Sequence, residues 1–145
     1  MLIEDIRLRD DSELIAISPK ATIAEAAALL GSNNIGALPV CDHDDLLVGI
    51  LSERDIVREI AKHGPSLLDQ TVDVVMTHEV FTCKPEDDTN DVMEVMQANR
   101  FRHIPVVDDK RHVTRMISTR DLMGAVLDET REQRRALAVA YELVR

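Results

Sequence analysis

Aromatic side chains are nearly missing from this chain: two Phe, one Tyr and no Trp make up 2% of its 145 residues. The 45% apolar share must therefore build an aliphatic core, and stacking platforms for single-stranded nucleic acid are scarce. Cysteine is scarce too. Cys41 and Cys83 show no CxxC or His spacing and read as small buried residues of a reduced, cytoplasmic protein. No apolar run reaches the ~18 residues of a membrane span. Met1 to Ile6 lacks the basic and apolar regions of a signal peptide. Basic charge is in deficit, with 17 basic against 27 acidic residues and a formal net charge of −10. That balance disfavours phosphate backbones and anionic membranes, though a small anion can still bind in a locally basic pocket.

Chemistry-bearing motifs are equally sparse. There is no Walker A loop, no dinucleotide Gly fingerprint, no Gly-x-Ser-x-Gly and no HExxH. Nothing places a base beside a nucleophile, so no enzyme is expected. The run Asp42-His43-Asp44-Asp45 has metal-ligand composition. Four consecutive residues of a hairpin do not converge on one ion, so it reads as a solvated turn and no metal is expected.

What the chain does have is an internal repeat. Gly49-Ile50-Leu51-Ser52-Glu53-Arg54-Asp55 returns sixty-six residues later as Arg115-Met116-Ile117-Ser118-Thr119-Arg120-Asp121. The same offset pairs Pro39 with Pro105, Asp42 with Asp108, Pro19 with Pro85 and Glu13 with Glu79, with no gap. Such a repeat fixes architecture before any local assignment, and it implies two equivalent sites.

Each copy reads β-α-β-β-α. A short β-prone run (Leu14–Ile17, Val80–Cys83) ends before a Pro. A helix follows, opened in the first copy by a Thr22-x-x-Glu25 capping box and in the second by Asp88 or Thr89. A second strand carries an internal Pro (Pro39, Pro105), which argues for an edge or a strand start. After an acidic turn, a third strand runs into a helix at Ser-x-Arg-Asp. Residues 64–70 read as the linker between copies. Residues 127–145 read as an amphipathic C-terminal helix with balanced charge.

The two Ser-x-x-Asp segments are the strongest candidates for a site. A helix N-terminus offers free N–H groups and the positive end of the dipole, which suits a phosphate. Ser hydroxyls bond phosphate or ribose oxygens, Asp carboxylates accept from a ribose diol, and Arg54 and Arg120 add positive charge. The same residues also work as a ligand-free capping arrangement, and the sequence leaves both readings open. Arg102-His103 sits where the first copy has the small pair Gly36-Ala37.

The ordered set of strand, Pro, Thr-x-x-Glu helix, Leu38-Pro39-Val40 and Gly49-Ile50-Leu51-Ser52-x-Arg54-Asp55 resembles the CBS domain, named after cystathionine β-synthase. Phe101-Arg102-His103-Ile104-Pro105-Val106-Val107-Asp108 is similar to its second half. The resemblance covers roughly residues 7–126, with copies at 7–63 and 73–126. Two copies make a Bateman module. The implied fold is α+β, two repeats packed about a pseudo-twofold axis with two clefts between them, plus the C-terminal helix. The implied ligands are AMP, ADP or ATP, with S-adenosylmethionine or NAD as further possibilities. Carried over, one cleft takes Ser52, Arg54 and Asp55 with Phe81, Phe101, Arg102 and His103. The other takes Ser118, Arg120 and Asp121 with Ile15, Ile35, Gly36 and Ala37. Arg115 stands where the family usually has Gly, which narrows the second cleft or merely caps the hairpin. The resemblance implies a non-catalytic sensor that forms homodimers and signals to a downstream protein. The alternative is a ligand-free interaction module acting through its surface and C-terminal helix.

Overall fold

A computed structural model describes residues 1–7 and 14–144. Each repeat folds as a helix, an antiparallel hairpin and a second helix. In the first, α1 (Ile23–Asn33) leads to β1 (Ala37–Cys41), β2 (Leu47–Ser52) and α2 (Glu53–His63). A short helix, α3 (Val72–Val75), precedes the second repeat. That repeat comprises α4 (Thr89–Asn99), β3 (His103–Val107), β4 (Val113–Ser118) and the long α5 (Thr119–Val144). The mixed α+β architecture and the C-terminal helix are as the sequence implies.

Helix starts follow side-chain chemistry. The Thr22 hydroxyl accepts from the Glu25 N–H and caps α1, and Asp88 accepts from the Asn90 N–H to cap α4. Both helices end on a left-handed residue, Asn34 (φ 52°) and Arg100 (φ 58°). Both hairpin turns close on another, Asp45 (φ 61°) and Arg111 (φ 68°). In each turn one Asp oxygen accepts two backbone N–H groups: Asp42 from Asp44 and Leu46, Asp108 from Lys110 and His112. The acidic run is therefore a self-bonded turn. No cluster of His, Cys, Asp and Glu able to hold a metal is present among the described residues.

The hairpins are buried unevenly. Residues 37–40 of β1 are buried on both faces while β2 alternates, which is why Leu-Pro-Val reads as a continuous apolar run. Pro39 sits in mid-strand, opposite Ile50. Its C=O accepts from the Ile17 N–H, so its missing N–H lies on the outer edge and costs the hairpin no bond. Pro105 does the same for Cys83. The expected first strands, Leu14–Ile17 and Val80–Cys83, shrink to single parallel bridges, Ile17 to Val40 and Cys83 to Val106. Burial pushes the Cys83 thiol up to about 12, with Asp87 adding to the shift. Burial raises the Cys41 thiol as well. Both cysteines are free and hold their protons.

The two cores do not follow the two halves of the sequence. Ile23, Leu38, Leu51 and Ile56 share the first core with Leu67, Val72 and Met76. The expected linker is thus a structured 3₁₀ turn, Gly64–Asp69, that delivers Leu67 inward. The second core joins Met96, Ile104, Ile117 and Leu122 with Ile3 and Ile6 from the chain's start. Matching backbone bonds tie these straps down. Ile3 and Glu4 donate to Asp87 and Pro85, as Val72 and Asp73 donate to Ala21 and Pro19. The straps match at an offset of sixty-nine, so the gapless register of the repeats fails there. Arg115 explains part of this difference. Gly49, its counterpart, faces Met76 and the Thr77 carbonyl so closely that a Cβ would lie 2.5 Å from Met76 Sδ. The Arg115 guanidinium instead donates to the carbonyls of Ile3 (3.2 Å) and Ile6 (2.6 Å). It clamps the strap, a role that neither narrowing a cleft nor capping a hairpin describes.

The repeats meet along their hairpins. Leu46 bridges His112, its own counterpart, so the pseudo-twofold axis passes through that pair. No helix among the described residues is long and apolar enough to cross a membrane. Helix α5 packs Leu122 and Ala125 on the second core, then leaves the body; residues 130–140 are all exposed. Replacing Arg115 with Leu should lower unfolding free energy by about 2 kcal/mol, the usual loss for charge-assisted bonds to backbone. Urea unfolding measures it; an unchanged midpoint would show that the clamp adds nothing.

Candidate functional site

The strand-to-helix joints position the candidate residues. Ser52 ends β2 opposite Ala37, and Ser118 ends β4 opposite His103. At each joint the next residue ties down the neighbouring strand: Glu53 N–H donates to Gly36 C=O (2.9 Å) and Thr119 N–H to Arg102 C=O (2.8 Å). The capping reading is realised in both copies. Ser52 Oγ accepts from the Asp55 N–H (3.1 Å) while Asp55 Oδ2 accepts from the Ser52 N–H (3.0 Å). Ser118 and Asp121 repeat this pair, with the Ser118 hydroxyl also donating to Oδ2 (2.9 Å). Each Asp thus uses Oδ2 to fix the joint and keeps Oδ1 for other contacts.

A cleft of about 470 Å³ opens between the repeats at the first joint. Ser52, Arg54 and Asp55 line one side; Phe81, Phe101, Arg102 and His103 line the other. All seven residues expected together are together. Gly36 and Ala37, expected in the other cleft, line this one as well. The bond from Glu53 holds them beside their own repeat's helix, and Gly36 lies against the His103 ring, 3.0 Å from Cε1 to a built Cβ. Any side chain at 36 would push that ring.

The second set is described only in part. Ser118, Arg120 and Asp121 sit at the start of α5, but Ile15 and Ile35 pack against the first core. The counterparts of the wall residues Thr77 and Glu79 fall at positions 11 and 13, outside the described residues.

The cleft's charge differs from that of the chain. Four guanidinium groups line it, on Arg54, Arg58, Arg100 and Arg102, against carboxylates on Glu53, Asp55 and Glu79. Arg58 approaches Asp55 at 3.9 Å. Among the described residues, Arg54, Arg100 and Arg102 enter no ion pair. Sequence reasoning missed Arg58, one helical turn beyond Arg54, and Arg100. The available signal was that Arg100 falls at the α4 terminus, in register with Asn34. Phe81 and Phe101 stack with ring centroids 5.3 Å apart. Phe81 remains 52% exposed, so the sparse aromatics are concentrated on the cleft wall.

A pair of pseudo-equivalent βα units enclosing a basic, aromatic-walled cleft defines a tandem module with a cleft between its halves. The CBS domain model matches residues 3–62 and 72–128, and the chain belongs to the CBS domain family. The CBS-domain-containing protein ATU1752 from Agrobacterium tumefaciens is similar in structure at TM-score 0.79 and 35% identity, covering 86% of this chain and 92% of that one. The CBS domain pair of MJ0100, in complex with 5′-methylthioadenosine and S-adenosyl-L-methionine, is similar at TM-score 0.76 and 27% identity, covering 89% and 98%. An inosine-5′-monophosphate dehydrogenase of Methanocaldococcus jannaschii is 34% identical over 113 residues, 77% of this chain and 21% of that protein. The chain therefore spans about a fifth of that enzyme, the part that is like a CBS pair.

His103 offers a test of the cleft's electrostatics. Burial lowers its pKa from 6.5 and Arg102 adds to this, outweighing Glu53 and Asp121, which raise it. The unfolded chain then binds a proton that the native state refuses. Stability should fall as pH drops below about 6.5, the ordinary value, and be fully present above it. Thermal unfolding at pH 7.5 and 5.5 should show a larger loss in the wild type than in His103→Gln. Equal losses would mean that the ring titrates normally.

Proposed function

We propose that this chain is a non-catalytic regulatory module whose cleft at Ser52–Asp55 takes an adenosine phosphate: AMP, ADP or ATP. The observation that carries the reading is the convergence of Arg54, Arg100 and Arg102, none of them ion-paired among the described residues, on one cleft of an otherwise acidic chain. Unpaired guanidinium groups this close together favour a ligand with several anionic oxygens. Phe81 and Phe101 supply an apolar face for the purine, and Asp55 Oδ1 accepts from the ribose diol. The MJ0100 pair, with its adenosine ligands, supports the nucleoside part of this reading. The arginines favour a phosphate over the methylthio or sulfonium groups of those ligands.

Signalling requires two states of different ligand affinity and a protein that reads them. Ligand held between the repeats bears on both hairpins at once, so a change in their relative placement is the natural output to a downstream partner or to a second copy in a homodimer. A second reading has its own observation. The Ser and Asp of each cap satisfy one another in both repeats, as a purely structural interaction module would have them.

Thermal unfolding with AMP, ADP, ATP, NAD, 5′-methylthioadenosine and S-adenosylmethionine separates the two. A ligand at about 100 times its dissociation constant adds roughly 2.7 kcal/mol. The shift is expected with the adenosine phosphates and should shrink in Arg54→Gln and Arg102→Gln. No shift with any of the six ligands would favour the interaction module.

Arg100 adds a check that separates binding from stability. Its left-handed backbone (φ 58°) suits Asn, the residue that the first repeat uses at this place. Arg100→Asn should raise stability by about 0.5 kcal/mol, within the cost of a left-handed non-glycine residue. It should weaken nucleotide binding at the same time. A variant that binds as tightly as the wild type would remove Arg100 from the site.

A further inference from the structure

The imidazole of His103 stands where the two repeats meet. It opens β3, level with Ser118 of β4, and lines the cleft. Its ring lies against Gly36 of the first repeat, with Cε1 3.0 Å and Nε2 3.2 Å from a Cβ built there, and Glu53 Oε1 lies 3.5 Å from the same point. Two carboxylates act on it, one from each repeat: Glu53 at the start of α2 and Asp121 at the start of α5. Arg102 is the cation beside it on its own side of the cleft. Arg54, Asp55, Arg58, Glu79 and Arg100 complete the charges of the cleft wall. Among the described residues no group hydrogen-bonds the ring, and no buried polar side-chain atom lacks a partner, so its nitrogens meet the solvent of the cleft.

We infer that His103 takes up a proton from solvent when a phosphate enters this cleft, so that the site holds its nucleotide more tightly as pH falls. The coupling rests on the phosphate reading of the cleft proposed above. In the protein by itself, burial is the largest influence and holds the imidazole below its ordinary value of 6.5; Glu53 and Asp121 pull it up, and Arg102 pushes it down. A phosphate brings negative charge between the same walls and offsets Arg102, which favours the charged ring. The extra affinity is complete below the pKa of the unliganded ring, itself under 6.5, and is lost as pH rises through the higher pKa of the liganded one. Acid therefore acts in opposite senses on the two forms: it destabilises the protein alone and strengthens the complex. The charged ring also attracts a carboxylate from each repeat, so the proton draws the two cleft walls toward one another. The second ionisation of a phosphate monoester, near a pKa of about 6, runs the other way, because a singly charged phosphate pairs less well with arginine. A chain without the imidazole separates the two effects.

Isothermal titration calorimetry with AMP, ADP and ATP at pH 7.5 and 5.5, on the wild type and on His103→Gln, is the test. Between the two pH values the wild-type Kd should tighten, relative to that of the variant, by about threefold or more, since each pKa unit between the free and the bound ring corresponds to about tenfold in affinity. At pH 6.5 the wild type should also take up more protons per nucleotide bound than the variant, counted from binding enthalpies in buffers of different ionisation enthalpy. Equal pH dependence in the two chains would overturn the inference and leave the nucleotide reading in place. Absence of binding by all three nucleotides at both pH values would overturn both. The wild type alone supplies a second measurement that does not depend on how well the variant folds. The Cε1 proton resonance of His103, followed against pH, should show its midpoint at higher pH with AMP than without it. A midpoint that stays in place or falls would overturn the inference.

Discussion

Two short backbone straps hold this molecule together by lying across the wrong halves. Residues 1–6 seal the core of the second repeat, and residues 70–76 seal the first. Each strap contributes buried aliphatic side chains and a few main-chain bonds at the entry of a helix. Neither hairpin with its helices encloses its own apolar surface, since a two-stranded sheet leaves one flank of its core open. Sealing each core with the segment that precedes the other repeat makes the two copies one cooperative body. The cleft depends on that coupling, because its two walls belong to different repeats and stay a fixed distance apart only while both cores are closed.

The cleft concentrates what the chain otherwise spends sparingly. Both of its phenylalanines stand on the wall, and four of its arginines converge there in a chain of net charge −10. Acidic residues elsewhere keep anions away from the general surface, so the cleft is the locally favourable place for one. The joint at Ser52 and Asp55 sets the geometry. The reciprocal cap fixes where α2 begins, and the bond from Glu53 to Gly36 fixes where β1 begins. Capping takes one oxygen of that carboxylate and leaves the other for the proposed ligand.

Much of this was legible in the sequence, and for a physical reason. A repeat seen twice cancels local ambiguity, so Pro39 with Pro105 and Ser52 with Ser118 located strands and joints that either copy alone leaves open. The seven residues of the first cleft were grouped by the resemblance to the CBS domain, carried over position by position; the Ser-x-x-Asp joint alone was legible as a helix start. What was not legible involved reach. Gly36 and Ala37 joined the first cleft because a bond to Glu53, invisible in spacing, holds them beside α2. The strands expected at Leu14–Ile17 and Val80–Cys83 became single bridges, since β-propensity reports a fit to a pleated surface and not the presence of a partner. Arg115 clamps a strap more than a hundred residues away in sequence, and no local pattern announces such a contact.

The crossing straps also bear on how the chain reaches its native state. The first core draws on residues 17–76, a nearly continuous stretch whose strap is the last part needed. The second core cannot close until the chain's first residues meet Pro85 and Asp87, a loop that embraces the whole of the first repeat. Closing a loop around an already compact unit costs less entropy than closing it around an open chain. Non-local contacts of this kind are also the ones that set the pace of folding. The two near-identical halves are thus unequal in time: the first repeat is suited to fold early as a scaffold, and the second completes itself by returning to the beginning of the chain.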